Sequence, residues 1–147
     1  MSLSVDAPLM AQDSKTVISP FDVLVIDDNE DFLQILGHLI DAMGHTLYTS
    51  TTAMDGLDIA RNIMPDIIFC DLELPGGMHG FDFARSVRND DKLRDFRMIA
   101  ISGYTDAETQ QQALLAGFDD IFPKPVKFAD IRMAIEYCTK GLSSPSN

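Results

Sequence analysis

The sequence predicts an α/β fold, a parallel five-stranded sheet with helices on both faces. Two observations predict it. Five short apolar runs, "DVLVI" (22–26), "TLYT" (46–49), "DIIFC" (66–70), "MIAI" (98–101) and "DIF" (120–122), each lead into a segment with helical spacing. Strands that alternate with helices in this way belong to a parallel sheet. The run "IIFC" is also uninterrupted, which suits a strand covered on both sides.

The elements can be justified in order. The first nineteen residues mix Ser, Asp, Gln and Pro without periodicity and read as a flexible tail, as do residues 141–147. Residues 20–140 then form one domain, and a chain of 147 residues can bury a proper core. After the first strand, Phe32, Ile35, Leu36, Leu39, Ile40 and Met43 share a helical face, and Gly44 stops the helix. Thr52 is expected to cap the second helix, with Asp55 three residues on, then Leu57, Ala60 and Met64, and Pro65 as terminator. A short third helix is expected around 81–89. "TDAE" (105–108) reads as a capping box for the fourth, which stops near Gly117. The last helix carries Phe128, Ile131, Ile135 and Cys138 on one stripe.

Composition limits the partners. Eleven basic residues against 23 acidic ones leave a net charge of −12. That balance argues against nucleic acid and against docking on anionic lipid, both of which need clustered Lys and Arg. No run approaches the ~18 apolar residues of a membrane span. An early Asp6 and the lack of a basic leader argue against a signal peptide, so a cytoplasmic location is expected. Cys70 and Cys138 show no metal-ligand spacing and read as small core residues in a reducing compartment. Met43, Met64 and Met98 read as core filler, residues 110–112 as a solvated glutamine face, and His79 as a surface-loop histidine.

In an open parallel sheet, sites form beyond the carboxyl ends of the strands. Past the first strand come Asp27 and Asp28, past the third Asp71, past the fourth Ser102, and past the fifth Lys124. Singly, each has an ordinary explanation as a cap or turn residue. Together, each at a strand end, they describe chemistry. Three converging carboxylates repel one another unless a cation joins them. Mg2+ fits, because it takes one or two carboxylates and keeps several waters. A metal, a lysine and a hydroxyl around Asp71 would stabilise charge on transferred phosphoryl oxygens, with Asp71 as the nucleophile. The Pro75-Gly76-Gly77 turn is expected to let backbone approach that site.

This constellation resembles a response-regulator receiver domain, the phospho-accepting module of two-component signalling, over roughly Phe21 to Lys140. The resemblance implies a flavodoxin-like doubly wound (βα)5 fold with strand order 2-1-3-4-5. It implies Asp71 in "CDLELP" as phosphoacceptor, with Asp28 as a direct and Asp27 as a water-mediated Mg2+ ligand. The backbone carbonyl of Glu73 would be a further ligand. Ser102 in "AISGY" is similar to the hydroxyl that swings toward the phosphoryl group. Lys124 in "FPKPV" is similar to the lysine that pairs with it, with a cis bond before Pro125.

The chain departs from the family pattern in three places. The acceptor loop carries an extra glycine at Gly76-Gly77, and Ser102 and Lys124 shift by the same single residue. Ile121 stands where Tyr or Phe is common, and strand alternation points the adjacent Phe122 to the opposite face. Glu73 and Tyr104 occupy the two variable positions beside the phosphoryl group, where they are expected to modulate its hydrolysis.

The resemblance therefore implies a signalling module rather than an enzyme. A histidine kinase or histidine phosphotransfer protein would supply the phosphoryl group, and a downstream protein would read it. A stand-alone receiver with output by protein contact is expected, with a receiver segment of a hybrid histidine kinase as the alternative. A haloacid-dehalogenase-like phosphatase also places an Asp nucleophile after a strand, and "DLEL" resembles its D-x-D opening. Its acidic pair follows the nucleophile, however, whereas Asp27-Asp28 precedes Asp71. A flavin binder is disfavoured by "DDNED", which would repel a phosphate.

Overall fold

The computed structural model describes residues 20–139; the tails expected at 1–19 and 141–147 lie outside the described residues. Five strands alternate with five helices: β1 (Asp22–Ile26), α1 (Glu30–Ala42), β2 (Thr46–Ser50), α2 (Ala53–Ile63), β3 (Ile67–Asp71), α3 (Gly80–Arg88), β4 (Arg97–Ser102), α4 (Ala107–Ala116), β5 (Asp120–Pro123) and α5 (Phe128–Thr139). All strand pairings are parallel, and the order is 2-1-3-4-5. The order in which strands are added reverses between β1 and β3, which opens a crevice at their carboxyl ends.

Alternation along the strands builds two cores. Val23, Val25, Ile67, Phe69, Ile99 and Ile101 face α1 and α5, where Leu33, Leu36, Ile40, Ile131 and Ile135 cover them. Leu24, Ile26, Ile68, Cys70, Met98 and Ala100 face α2, α3 and α4, under Leu57, Ala60, Phe83, Val87, Ala113 and Ala116. Every residue of β3 is buried, as its unbroken apolar run requires. Phe122 packs against Phe69 with ring centroids 6.3 Å apart, while Ile121 packs into the opposite core. The expected opposition of these two neighbours therefore holds.

Several local expectations need correction. On α1 the inward face is Leu33, Leu36 and Ile40, and Ile35 is exposed. Leu33 falls two turns before Ile40, on the same inner arc, so the apolar face is rotated toward it. Met64 is no core filler: it closes α2 in the left-handed region at φ 54 and is exposed. The cap of α4 is Asp106, whose side chain accepts from the Thr109 N–H, and Thr105 lies outside the helix. Aspartate is the stronger capping residue of the two. Phe128 is exposed at the start of α5, although its ring stacks on Phe32 at 6.5 Å. Asp71 and Ser102 are the last residues of β3 and β4, within the ladder rather than beyond it.

Several other local expectations hold. Thr52 caps α2 by accepting from Asp55 N–H at 3.2 Å, α4 ends at Gly117, and the glutamines at 110–112 are exposed. Cys70 is buried, Cys138 is half-buried, and both are free thiols. Among the described residues, no helix is long and apolar enough to cross a membrane.

Candidate functional site

Sheet register assembles the site. Ile26 pairs with Cys70, so the next residues, Asp27 and Asp71, arrive at the same level. Asp71 pairs with Ile101, and Ser102 with Pro123, so Ser102 and Lys124 each stand one step further along the rim. Backbone hydrogen bonds carry the ladder to this edge: Asp27 N–H to Ser50 O, Leu72 N–H to Ile101 O, and Lys124 N–H to Ser102 O, each 2.9 Å. The functional groups are therefore held by the sheet itself, which restricts their motion.

Carboxylate oxygens of Asp27, Asp28 and Asp71 all lie within 4.8 Å of one another. Asp27 and Asp71 are buried, and Asp28 is exposed at the mouth. Burial pushes the Asp27 carboxyl up to about 6, against the lowering effect of the Asn29 N–H that it accepts, and the Asp71 charge pushes the same way as burial. Burial also raises Asp71, although Lys124 and the Glu73 N–H both favour its charged form. Their distances are 2.8 Å from Lys124 Nζ to Oδ2 and 2.9 Å from Glu73 N to Oδ1. Burial alone would lower Lys124, but the Asp71 bond and the charges of Asp71, Asp27 and Glu73 outweigh it and the net shift is upward. The cluster thus holds more negative charge than one ammonium can balance. A hard cation with oxygen ligands matches that deficit, so the donor set fits Mg2+.

The predicted residues separate into those that meet and those that do not. Asp27, Asp28, Asp71 and Lys124 converge, and the peptide before Pro125 is cis. Asp27, Asp28 and Lys124 also line a cleft of about 600 Å3 that runs between α1 and the loop before α5. Ser102 is buried, but its hydroxyl turns to the Glu73 carboxylate at 2.5 Å rather than to Asp71. Glu73 also accepts from Gly103 N–H at 3.1 Å. Its carboxylate is thus a member of the site, as its place beside the phosphoryl group leads one to expect, and Ser102 and Gly103 are the partners it takes there. Tyr104 has an exposed side chain, and its backbone N–H donates to Ser102 Oγ at 2.9 Å. Ile121 is half-buried away from the rim, in the core that includes α4.

Three features escaped the sequence reading. Gly76 has φ +93 and Gly77 an open surrounding, with no atom within 4 Å of an added Cβ at either. The close backbone approach at Asp71 is made instead by Gly80, where a Cβ would sit 2.6 Å from Asp71 O and 2.7 Å from Leu72 Cα. The only sequence signal for this was a glycine at the start of a helix. Asn29, rather than the Asp pair, caps α1 by accepting from Phe32 N–H at 3.0 Å. His79 does more than occupy a loop: its Nδ1 lies 3.1 Å from Leu74 O, and its N–H donates to Asp82 at the start of α3.

Comparison with known proteins agrees with this architecture. A family model, the response regulator receiver domain, matches residues 23–136. The polar-differentiation response regulator DivK of Brucella anthropi is 27% identical over 107 residues, covering 73% of this chain and 86% of its own. A CheY-like response regulator receiver domain protein of Methanospirillum hungatei superposes with a TM-score of 0.74 at 26% identity, covering 84% of this chain and 96% of its own. The chemotaxis protein CheY4 of Vibrio cholerae shares the fold, with a TM-score of 0.75 at 22% identity over 82% of this chain and 99% of its own. With the family's sequence pattern spanning the domain and its fold reproduced strand for strand, this chain belongs to the response regulator receiver domain family of two-component signalling.

Proposed function

We propose that Asp71 accepts a phosphoryl group in a Mg2+-dependent reaction and that the modified domain changes its contacts with a partner protein. The observation that carries this reading is the meeting of a buried Asp71 with Asp27, Asp28 and Lys124 at one rim. Receiver domains are signalling modules that work with histidine kinases and downstream targets. A histidine kinase or a histidine phosphotransfer protein is accordingly the donor, and the site of action is the cytoplasm.

In the transfer, an Asp71 carboxylate oxygen forms a new P–O bond while the P–N bond to the donor imidazole breaks. The electron pair of that bond returns to the imidazole, whose other nitrogen carries the proton. Asp27, Asp28, Asp71 and the backbone carbonyl of Glu73 would hold Mg2+, which supplies positive charge for the phosphoryl oxygens. Lys124 already touches Asp71 and moves from its carboxylate to the phosphoryl oxygens. Ser102 supplies a hydroxyl donor to the same group. Excluding bulk water from Asp71 protects the acyl phosphate until the loops open. Glu73 and Tyr104, beside the entrance, regulate water access.

The added group brings about 1.5–2 negative charges at Asp71. Ser102 and Lys124 are drawn to it, which repacks the loops before α4 and α5 and alters the outer surface. Intact-mass measurement after incubation with a small acyl-phosphate donor tests the reading. A gain of one phosphoryl group with Mg2+ and none with a chelator is expected. Gain independent of metal, or sustained turnover of phosphate esters, would overturn it.

A further inference from the structure

The rim already holds an anion at the donors that the phosphoryl group needs. Glu73 Oε2 accepts the Ser102 hydroxyl at 2.5 Å, and Oε1 accepts Gly103 N–H at 3.1 Å and lies 3.7 Å from Lys124 Nζ. A hydroxyl, a backbone N–H and an ammonium gathered on two anionic oxygens form the donor set that an oxyanion group takes. Ser102 has no spare proton to give. A serine hydroxyl donates once, and this one donates to Glu73 while accepting from Tyr104 N–H at 2.9 Å. It cannot also donate to a group on Asp71.

We propose that the Glu73 carboxylate is a built-in stand-in for the phosphoryl group, occupying Ser102, Gly103 and Lys124 until phosphorylation of Asp71 displaces it. The inference rests on Asp71 as acceptor and adds a regulatory step at the same site. Transfer exchanges one anion for another at the same donors, so the loop after β4 is held in its resting arrangement by a contact within the chain. The backbone carbonyl of Glu73 is untouched by the exchange; only the side chain leaves.

Reach, not charge alone, is the property to test. Glu73→Asp keeps the negative charge but is one methylene too short to hold both donors. Glu73→Gln keeps the reach and removes the charge. The first readout is the Gly103 amide in unphosphorylated, metal-free protein, followed by NMR hydrogen exchange. In Glu73→Asp its protection is expected to fall about tenfold, the scale of one lost hydrogen bond. The second readout is the rate of mass gain from phosphoramidate with Mg2+, expected to rise about threefold to tenfold in Glu73→Asp as the donors come free. Wild-type amide exchange in Glu73→Asp would overturn the proposal. So would a wild-type phosphorylation rate in Glu73→Asp beside a faster one in Glu73→Gln, since charge alone would then explain the effect. If wild-type protein gains no phosphoryl group while the Gly103 amide still depends on Glu73, the acceptor reading fails and the resting contact stands without its proposed role.

Discussion

The ammonium of Lys124 stands 2.8 Å from Oδ2 of Asp71, joining the ends of β5 and β3 across 53 residues of sequence. Asp71 is wholly buried, whereas the Lys124 side chain is partly exposed. The lysine is therefore the resting counter-charge of a carboxylate that water does not reach.

Removing that counter-charge leaves a buried acid beside two others. Lys124→Met is expected to destabilise metal-free protein by about 1–3 kcal/mol, below the cost of breaking a fully buried pair because the lysine is half in solvent. Added Mg2+ should recover more stability in the variant than in wild type, since it replaces the missing cation. Urea unfolding with and without Mg2+ checks both parts.

The pH dependence of stability follows from Asp27. Its carboxyl is raised from 3.8 to about 6 in the folded protein, so between those values the native state binds more protons than the unfolded chain. Stability from this group is therefore greatest at low pH and falls as pH rises through about 4 to 6. Asp27→Asn should flatten that part of the metal-free profile and raise stability at neutral pH. Thermal unfolding at a series of pH values gives the comparison.

Gly80 and Gly77 offer a matched pair. A Cβ at Gly80 would stand 2.6 Å from the backbone oxygen of Asp71, while one at Gly77 meets nothing within 4 Å. Gly80→Ala is expected to cost about 1–3 kcal/mol by forcing β3 and α3 apart. Gly77→Ala should stay within about 0.5 kcal/mol of wild type. Slower phosphoryl uptake in Gly80→Ala alone would show that α3 sets the position of the acceptor.

The water-access role of the two loop residues has its own test. Exchanging both Glu73 and Tyr104 for Ala should change the dephosphorylation half-life several-fold. An unchanged half-life would remove both from the hydrolytic step.

The sheet was legible in the sequence because its strands are unbroken apolar runs and the reactive residues end them. Asp71, Asp27, Asp28 and Lys124 could be placed by counting, since parallel register converts strand ends into one rim. Side-chain partnership was less legible. Nothing in "DLELPGG" says that the Glu73 carboxylate reaches Ser102, at the end of a strand 29 residues on. That contact depends on rotamers and on how the loop after β3 folds back. Gly80 was hidden for the same reason, because a close approach between α3 and β3 leaves no pattern in a single chain. Ile35 and Met64 failed as core residues because helical spacing defines an arc and not its orientation on the sheet.

Locating the phosphoryl group tests the central claim most directly. Protein treated with phosphoramidate and Mg2+ would be reduced with borohydride to trap the acyl phosphate, then digested and mapped by mass spectrometry. The trapped residue is expected at Asp71, with neither mass gain nor trapped residue in Asp71→Asn. Trapping at Asp27 or Asp28, or an undiminished mass gain in Asp71→Asn, would contradict the account.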